Sequence, residues 1–287
     1  MWHGSWFGFA GLFRSRCRAV IITVAIMQYY DDPDFSYPSF WNNREYEHEA
    51  ELLALQRLLG DKRFGVVADI GGGFGRLADF LSRYSQNIFL IEPAAFQRKL
   101  GQSFISNQIM LQEGNSERTG LQTKSCDLVV MIRVMHHILD PEASVSELWR
   151  ILKPNGLLVL EFANSHNFKA RIRNFFRPIP LTPVDMNTSP EYIPFFNHHP
   201  ATIKKILRDE GFIVLNELSV SNFRSTFLKR ILPLQTLLIL ERFSQRLLAW
   251  IDFGPSIFLM ATKRKSIKKI IIPINSANIA PRRSRER

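Results

Sequence analysis

An acid followed by three glycines at alternate positions is the pattern in this chain with the clearest chemical meaning. Asp69-x-Gly71-x-Gly73-x-Gly75 comes directly after the apolar run 66–68. This order predicts a buried strand that ends on a carboxylate, then a loop, then the start of a helix. Such junctions lie at the carboxyl edge of a parallel sheet, where nucleotide-like ligands bind. Glycine allows the tight turn and the close approach of backbone to ligand, because no side chain intervenes.

A second carboxylate, Glu92, ends the next apolar run, residues 87–91. An acid at a strand end about 20 residues past such glycines is placed to accept hydrogen bonds from ribose hydroxyls. Nicotinamide dinucleotides and S-adenosylmethionine both carry a ribose, so Glu92 alone does not distinguish them. Position 76 does, because the dinucleotide pattern G-x-G-x-x-G/A that begins at Gly71 requires a small residue where this chain has Arg76.

With its acid and alternating glycines, the loop resembles motif I of the class I S-adenosylmethionine-dependent methyltransferases. Three further segments resemble that family in its own order, so that the similarity covers residues 44–163. They are Ser125–Ile132 (fourth strand), Val134–Ile138 (the turn after it, as in the type 11 subgroup) and Glu147–Leu160 (helix, proline-glycine turn and fifth strand). The resemblance implies an enzyme that uses S-adenosylmethionine as its cofactor.

The elements around these motifs alternate between strand and helix. We predict strands at 65–69, 87–92, 108–112, 126–132, 157–163, 212–220 and 256–262, and helices at 45–59, 75–84, 95–104, 142–152 and 202–210. This alternation predicts a doubly wound parallel sheet. Together with the resemblance, it implies an α/β, mostly parallel seven-stranded sheet of the Rossmann-like methyltransferase type, with a last antiparallel strand and an inserted helical segment.

The resemblance also assigns roles around the sheet edge. Asp69 and the Gly71–Gly73 backbone would hold the methionine portion of the cofactor, and Glu92 would take both ribose hydroxyls. Asn115 stands where relatives usually have an acid that contacts adenine, and an amide can both accept and donate there. The predicted cofactor-binding residues are Asp69, Gly71, Gly73, Gly75, Glu92, Asn115, Ser116 and Arg133.

Histidines offer a candidate base. His136 follows the fourth strand, close to the expected position of the transferable methyl group, and a neutral histidine there would serve as general base for a hydroxyl acceptor. A local structural role is the alternative reading. The histidine pairs 136–137 and 198–199 lack metal-ligand spacing, so we expect no metal site.

Charge is distributed unevenly along the chain. The formal net charge is +11; residues 1–18 carry three arginines and no acid, and residues 263–287 carry nine basic residues and one acid, which leaves the body neutral. We expect 1–26 to be an unstructured or mis-annotated extension before Met27, 27–262 to be the methyltransferase domain, and 263–287 to be a basic disordered tail. The two cysteines give no disulfide framework and favour a reducing, cytoplasmic setting.

Two segments fall outside the common plan. Residues 164–200 form a long connection after the fifth strand, and 223–255 insert a strongly apolar helical segment between the last two strands, with Arg242 and Arg246 on its expected polar face. Packing on the sheet, a lid over the substrate, a dimer interface and peripheral contact with an anionic membrane all remain open for the insertion. We expect a cytoplasmic, monomeric or homodimeric enzyme that is open to membrane association.

The sequence favours transfer of a methyl group by in-line displacement to an O, C or N atom of a small, lipophilic acceptor. The alternatives are an RNA methyltransferase that uses the basic tail, or a non-catalytic relative that binds the cofactor. The fourth strand ends Ile132-Arg133-Val134-Met135 and lacks the Asn-Pro-Pro-Tyr type of motif that base-amine methylation commonly uses. We therefore expect a small-molecule acceptor in preference to nucleic acid.

Overall fold

The computed structural model describes residues 28–32, 37–106, 109–176, 184–187 and 195–264, with backbone alone for 184–187. Most of the predicted extension and tail, residues 1–26 and 265–287, lies outside this range. The helices are α1 Tyr37–Phe40, α2 Glu45–Leu59, α3 Ala78–Ser82, α4 Ala95–Gly101, α5 Pro141–Ile151, α6 Phe168–Phe176, α7 Pro200–Glu210, α8 Thr226–Ile231 and α9 Leu234–Ala249. The strands are β1 Val67–Ile70, β2 Ile88–Ile91, β3 Ile109–Gln112, β4 Cys126–Met131, β5 Leu152–Ala163, β6 Val184–Asn187, β7 Phe195–His198, β8 Phe212–Val220 and β9 Ser256–Lys263.

Seven strands form one sheet in the order β3-β2-β1-β4-β5-β9-β8, and β6 and β7 form a separate antiparallel hairpin. Neighbouring strands from β3 to β5 run parallel, whereas β9 pairs antiparallel with both β5 and β8. The predicted fold class is therefore confirmed, including the single reversed strand. That strand reaches one residue further than predicted, because the buried Lys263 amine donates hydrogen bonds to the carbonyl oxygens of Trp149 (2.6 Å) and Leu152 (2.8 Å).

Alternating side chains of the sheet enter two hydrophobic cores, one on each face. One core joins the sheet to α2, α3 and α9, and the other joins it to α5 and α7. Covering both faces explains why the central strands are apolar along their length, as in β1, where every residue is buried. The predicted signals at helix ends are also present: Asp140 accepts a hydrogen bond from the Ala143 amide (3.0 Å), and Gly211 ends α7 with φ 102°.

The inserted helix α9 packs on α2 and β8 through a buried carboxylate. Glu241 is 0% exposed and accepts hydrogen bonds from the Tyr46 hydroxyl (2.7 Å) and from the backbone amides of Ser221 (2.9 Å) and Asn222 (3.1 Å). The Tyr46 hydroxyl in turn accepts one from the Phe223 amide (2.9 Å). The Glu241 carboxylate can be buried here because several hydrogen-bond donors replace the water that would otherwise hydrate it. No helix among the described residues is long and apolar enough to cross a membrane.

We expect Tyr46→Phe to lower the free energy of unfolding by about 1–3 kcal/mol, because it removes one donor from a buried carboxylate and leaves the Phe223 amide without its acceptor. Urea denaturation measures this change. Tyr84→Phe is the matched control, since the Tyr84 side chain is largely buried and the described residues show no hydrogen bond to its hydroxyl. An equal loss of unfolding free energy in both variants would contradict the proposed contribution of the Tyr46–Glu241 hydrogen bonds to stability.

Candidate active site

A cavity opens at the carboxyl edge of the sheet, beside the ends of β1, β2 and β4. Its wall is built by the glycine loop, the strand end at Glu92, the turn after β3, the segment after β4 and two tyrosines that precede α2 in the sequence. Its lining includes Tyr30, Tyr37, Gly71, Gly73, Glu92, Gln97, Asn115, Ser116, Arg133, Val134 and His137. Six of the predicted cofactor-binding residues thus share one cavity.

The glycine loop has the backbone that its sequence predicts. Gly71, Gly73 and Gly75 all have positive φ, at 68°, 58° and 90°. A Cβ at Gly71 would lie 2.4 Å from Val134 Cγ2, and one at Gly75 would lie 2.3 Å from Ile105 Cγ2. Any side chain at these two positions would therefore clash as well as strain the backbone. Gly75 does not line the cavity, and its role is to let the loop pack closely on its neighbours.

Asp69 lies under the loop and does not line the cavity. Its side chain is buried, and Oδ2 has no hydrogen-bond partner among the described residues. Burial raises the pKa of this carboxyl to about 7, although the nearby Arg76 acts in the opposite direction. A buried acceptor without a partner is uncommon in folded proteins and marks a place where a ligand or a bound water supplies the missing donor.

Glu92 is held at the cavity wall by two backbone amides. The Gly73 N–H donates to Oε2 (3.0 Å) and the Ala94 N–H donates to Oε1 (2.9 Å). Burial nevertheless raises the pKa of this carboxyl to about 7. Each carboxylate oxygen has more than one lone pair, so both remain able to accept a hydroxyl from a ligand. A hydrogen bond therefore connects the glycine loop to Glu92, the candidate residue for ribose binding.

The turn after β3 uses its asparagine differently from the prediction. Asn115 Oδ1 accepts hydrogen bonds from the backbone amides of Glu117 (3.0 Å) and Arg118 (2.8 Å), which is a turn-capping role. The neighbouring Ser116 is buried, and its hydroxyl lies 2.9 Å from the Ser144 hydroxyl. Both residues line the cavity, but the Asn115 carbonyl that was predicted to meet adenine already serves the turn.

Arg133 is the cation of the cavity, and the surrounding carboxylates fix its position. It follows β4 with φ 63°, a left-handed conformation that is costly for a residue with a side chain. Its backbone N–H donates to Glu161 Oε2 (2.8 Å), and its Nε donates to the buried Glu51 Oε1 (2.7 Å). Glu51 and Glu161 outweigh the effect of burial and raise the Arg133 pKa, so this residue stays charged.

The segment ahead of the sheet covers the cavity. Arg76 does not crowd the loop; its guanidinium turns towards α2, where it pairs with Glu51 Oε2 (2.7 Å) and contacts His48 Nδ1 (2.7 Å). Its Cζ lies 3.9 Å from the centre of the Trp41 ring, a cation–π contact. Tyr37 packs edge-on against Phe74 of the loop, with ring centres 5.7 Å apart. These contacts bring α1 and α2 over the glycine loop.

The structure separates the roles of the two adjacent histidines. His137 lines the cavity, and its Nε2 lies 2.9 Å from the Tyr30 hydroxyl. His136 points elsewhere: its buried ring stacks on Phe195, with centres 4.3 Å apart, and burial together with His137 lowers its pKa well below the ordinary value. The assignment of His136 as a base stays a prediction, and the geometry favours its neighbour.

Three further polar residues have structural roles in the described part of the chain. Tyr46 binds Glu241, and His198 Nε2 is 2.9 Å from the Met135 carbonyl oxygen. His199 accepts the Ala201 amide at the start of α7 (3.2 Å). Sequence reasoning missed Tyr30 and Glu51, because neither residue belongs to a recognisable motif. The one available signal for Glu51 was an acid placed on the apolar face of a predicted amphipathic helix.

Methyltransferases share both sequence and fold with this chain. Residues 68–160 match the family model described as methyltransferase domain. An uncharacterized methyltransferase of Bacillus cereus is 25% identical over 120 residues, which are 41% of this chain and 56% of that relative. This chain thus matches little more than half the length of that relative.

Solved structures extend the similarity in fold over more of the chain. An S-adenosylmethionine-dependent methyltransferase of Thermotoga maritima aligns with a TM-score of 0.56 at 18% identity, over 79% of this chain and 94% of that one. A Listeria monocytogenes protein described in the same way aligns with a TM-score of 0.58 at 14% identity, over 77% and 99%. The chain thus matches a methyltransferase domain over residues 68–160 and has the fold of solved S-adenosylmethionine-dependent methyltransferases, which is consistent with class I of these enzymes.

The cavity fits the cofactor of this class. S-adenosylmethionine carries a ribose with two hydroxyl donors, an adenine, and a methionine end with an ammonium and a carboxylate. The cavity region offers two carboxylates, of which Asp69 has a buried oxygen without a partner, a glycine loop with no side chains in the way, and one fixed cation at Arg133. The ribose hydroxyls, the ammonium and the carboxylate of the cofactor thus each find a complementary group in this chain.

Stability and ligand binding should respond oppositely to pH. The pKa values of Asp69 and Glu92 in the folded chain, about 7, lie above their unfolded values of about 4. Their contribution to folding is therefore fully present below pH 4 and is lost as pH rises towards 7. Ribose hydroxyls bind best to the ionised carboxylate, so affinity should rise between pH 6 and 8.

Calorimetry with 5′-methylthioadenosine tests this dependence, because that probe has the ribose and adenine but no amino acid end. We expect tighter binding at pH 8 than at pH 6, with release of protons to the buffer. Glu92→Gln should abolish the pH dependence. Affinity that is independent of pH in the unaltered protein would contradict the role given to Glu92.

Proposed function

We propose that this chain binds S-adenosylmethionine in the cavity and transfers the methyl group to an O, C or N atom of a small, lipophilic acceptor. The observation that supports this most directly is the junction of Glu92 with the glycine loop, in which the Gly73 amide donates to the same carboxylate that faces the cavity. A ribose bound to Glu92 would therefore lie beside a backbone free of side chains.

We assign the cofactor contacts by matching charged and polar groups of S-adenosylmethionine to complementary groups of the chain. Glu92 accepts the ribose hydroxyls, the Gly71–Gly73 backbone lies along the methionine portion, and Arg133 binds its carboxylate. Asp69 stabilises the cationic end through its buried oxygen, directly or through a water. Asn115 and Ser116 border the adenine, and Gly75 supports the loop without touching the ligand.

When bound, the cofactor supplies a methyl group that its sulfonium charge already activates for in-line displacement. The chain therefore acts mainly by positioning, which can supply about 7–11 kcal/mol of the barrier. Tyr30, Tyr37 and Arg133 restrict where an acceptor can enter relative to the loop. The cover formed by α1 and α2 excludes water from the line between donor and acceptor.

Where the acceptor is a hydroxyl or amine, a proton must leave it. We assign this role to His137, because it lines the cavity and lies within hydrogen-bond distance of the Tyr30 hydroxyl. His136, the residue chosen from sequence, is buried behind it and would support the turn of residues 135–137. An RNA acceptor would depend on residues 265–287, which lie outside the described part of the chain.

Asp69→Ala and Glu92→Ala should each weaken the binding of S-adenosylmethionine at least tenfold, because each removes a carboxylate from the site that we propose. Titration calorimetry gives the dissociation constants. Asp79→Ala is the matched control, since Asp79 is an exposed acid in the first turn of α3. Wild-type affinity in both the Asp69 and the Glu92 variant would overturn the site assignment.

The acceptor class can be tested without knowing the acceptor. Cell extract incubated with the purified protein and methyl-labelled cofactor should yield label in the organic-solvent fraction, and mass spectrometry then identifies the product. Glu92→Ala should abolish the labelling. Label found mainly in RNA would favour the nucleic-acid alternative over a lipophilic acceptor.

A further inference from the structure

The helix α9 buries two polar side chains, Glu241 and Gln245, and exposes several large apolar ones. Its buried positions are Leu237, Glu241, Gln245 and Ala249, so the centre of the inner face is a carboxylate and an amide. On the opposite side, Ile239, Phe243, Leu247 and Trp250 follow one another at helical spacing. We refer to these four residues as the outer face of α9. A helix on the surface of a globular domain has the opposite arrangement.

Exposure of the outer face is nearly complete. Trp250 is 94% exposed, Phe243 78% and Leu247 74%, and Ile239 is 57% exposed. In α8, Phe227 and Ile231 are also exposed, at 67% and 56%. Single exposed apolar residues are common, but a contiguous group of this size marks a surface for binding another apolar phase.

Positive charge surrounds this surface. Residues 223–251 contain five Lys or Arg and a single acid, Glu241, which is buried. Arg230, Arg242 and Arg246 are exposed, and the two arginines of α9 lie along one flank of its outer face. The domain body is neutral as a whole, so the net charge of +4 over residues 223–251, five basic residues less one acid, is a local excess of positive charge. An amphipathic helix with aromatic residues and arginines is typical of a surface that binds anionic lipids.

The nearby α6 has the same character. It exposes Phe175 (83%) and Phe176 (76%), and its three charges are Lys169, Arg171 and Arg173. Its first turn is attached to the segment after α9: the Phe168 amide donates to the Phe253 carbonyl (3.0 Å), and the two rings stack with centres 4.9 Å apart. The start of α6 therefore lies beside the segment that follows α9, and both helices carry exposed aromatic and basic residues.

A chain of contacts connects this surface to the cavity. Ala163 and Val220, which end β5 and β8, both pair with Ser256 at the carboxyl edge of the sheet. Just beyond this edge, the Ser165 amide donates to the His198 carbonyl (3.0 Å). The His198 ring in turn contacts Met135, in the turn that carries His137. The segment that leads from the end of α9 into Ser256 and the cavity thus lie at the same edge of the sheet.

We propose that the outer face of α9, with the neighbouring aromatic residues of α6, inserts into the headgroup region of an anionic lipid bilayer, and that the acceptor enters the cavity from that bilayer. This inference rests on the proposed methyl transfer for its second part only. The aromatic and aliphatic side chains lie among the upper acyl chains, while Arg230, Arg242 and Arg246 bind the phosphates. The hydrogen bonds of Glu241 and the core contacts of Leu237 keep α9 attached to the domain.

Vesicle flotation of the full chain tests the first part. We expect the protein to float with vesicles of phosphatidylcholine and phosphatidylglycerol and to remain behind with phosphatidylcholine alone. The triple variant Phe243→Ser, Leu247→Ser, Trp250→Ser should lower the bound fraction at least tenfold. Ile213→Ser with Leu215→Ser is the control, because these exposed residues of β8 lie outside the proposed surface. Both variants keep the terminal segments, so any contribution from those segments is constant.

Insertion has its own readout. Brominated lipids should quench tryptophan fluorescence, and Trp250→Phe should remove most of that quenching. Arg242→Glu with Arg246→Glu should remove the preference for anionic vesicles. Equal flotation of the triple variant and the unaltered protein would overturn the proposal. So would sedimentation of the unaltered chain as a dimer that the triple variant dissociates, since a second copy would then cover this face.

Calorimetry with S-adenosylmethionine on the same samples separates the two proposals. Cofactor binding without flotation would overturn the membrane surface and leave the methyltransferase function standing. Flotation without cofactor binding would overturn the function and keep the surface. Since no residue of the triple variant lines the cavity, its affinity for the cofactor should equal that of the unaltered protein.

Discussion

A single buried carboxylate, Glu51, joins the parts of this active site that come from distant regions of the sequence. It accepts Arg76 from the start of the segment after the glycine loop and Arg133 from the end of β4, each at 2.7 Å. Burial alone would raise the Glu51 pKa, but the two guanidinium groups more than offset it, and the pKa is lowered. Removing the carboxylate would leave two partly buried guanidinium groups without their anionic partner, which is more costly than losing an exposed pair.

Residues at the cavity therefore hold α2 in place, and their own positions depend in turn on Glu51 of α2. Arg133 needs Glu51 on one side and Glu161 on the other to hold a left-handed backbone that faces the ligand. Arg76 occupies the place where dinucleotide-binding loops have a small residue, and its charge serves to fix the helix that covers the loop. Arg76, which argued against a dinucleotide-binding loop in the sequence, is thus a structural element of the candidate S-adenosylmethionine site.

Sequence reasoning predicted the sheet well because each strand is a short apolar run that ends at a chemically distinctive residue. Asp69, Glu92 and the glycines could be placed at one edge by parallel pairing alone, and their shared cavity follows from the strand order. Tyr30, Glu51 and His137 could not be assigned in this way. Their roles depend on which side chains meet across long sequence separations, such as the 82 residues between Glu51 and Arg133, and periodicity does not encode such pairs. Asn115 shows a further limit. Its side-chain carbonyl could accept a hydrogen bond from adenine or from the amides of its own turn, and in the structure it accepts those of the turn.

The insertion shows why amphipathic periodicity does not reveal orientation. Apolar residues recur through 223–255, and a reading by hydrophobicity would bury them against the sheet. Glu241 reverses the choice, because Tyr46 and the amides after β8 offer it five hydrogen bonds that no apolar side chain could use. Once that carboxylate is inside, the geometry of the helix forces Phe243 and Trp250 outward. An exposed aromatic face beside the cavity edge is costly in water unless it contacts another apolar phase, and this argues that the acceptor and the surface belong to the same lipid environment.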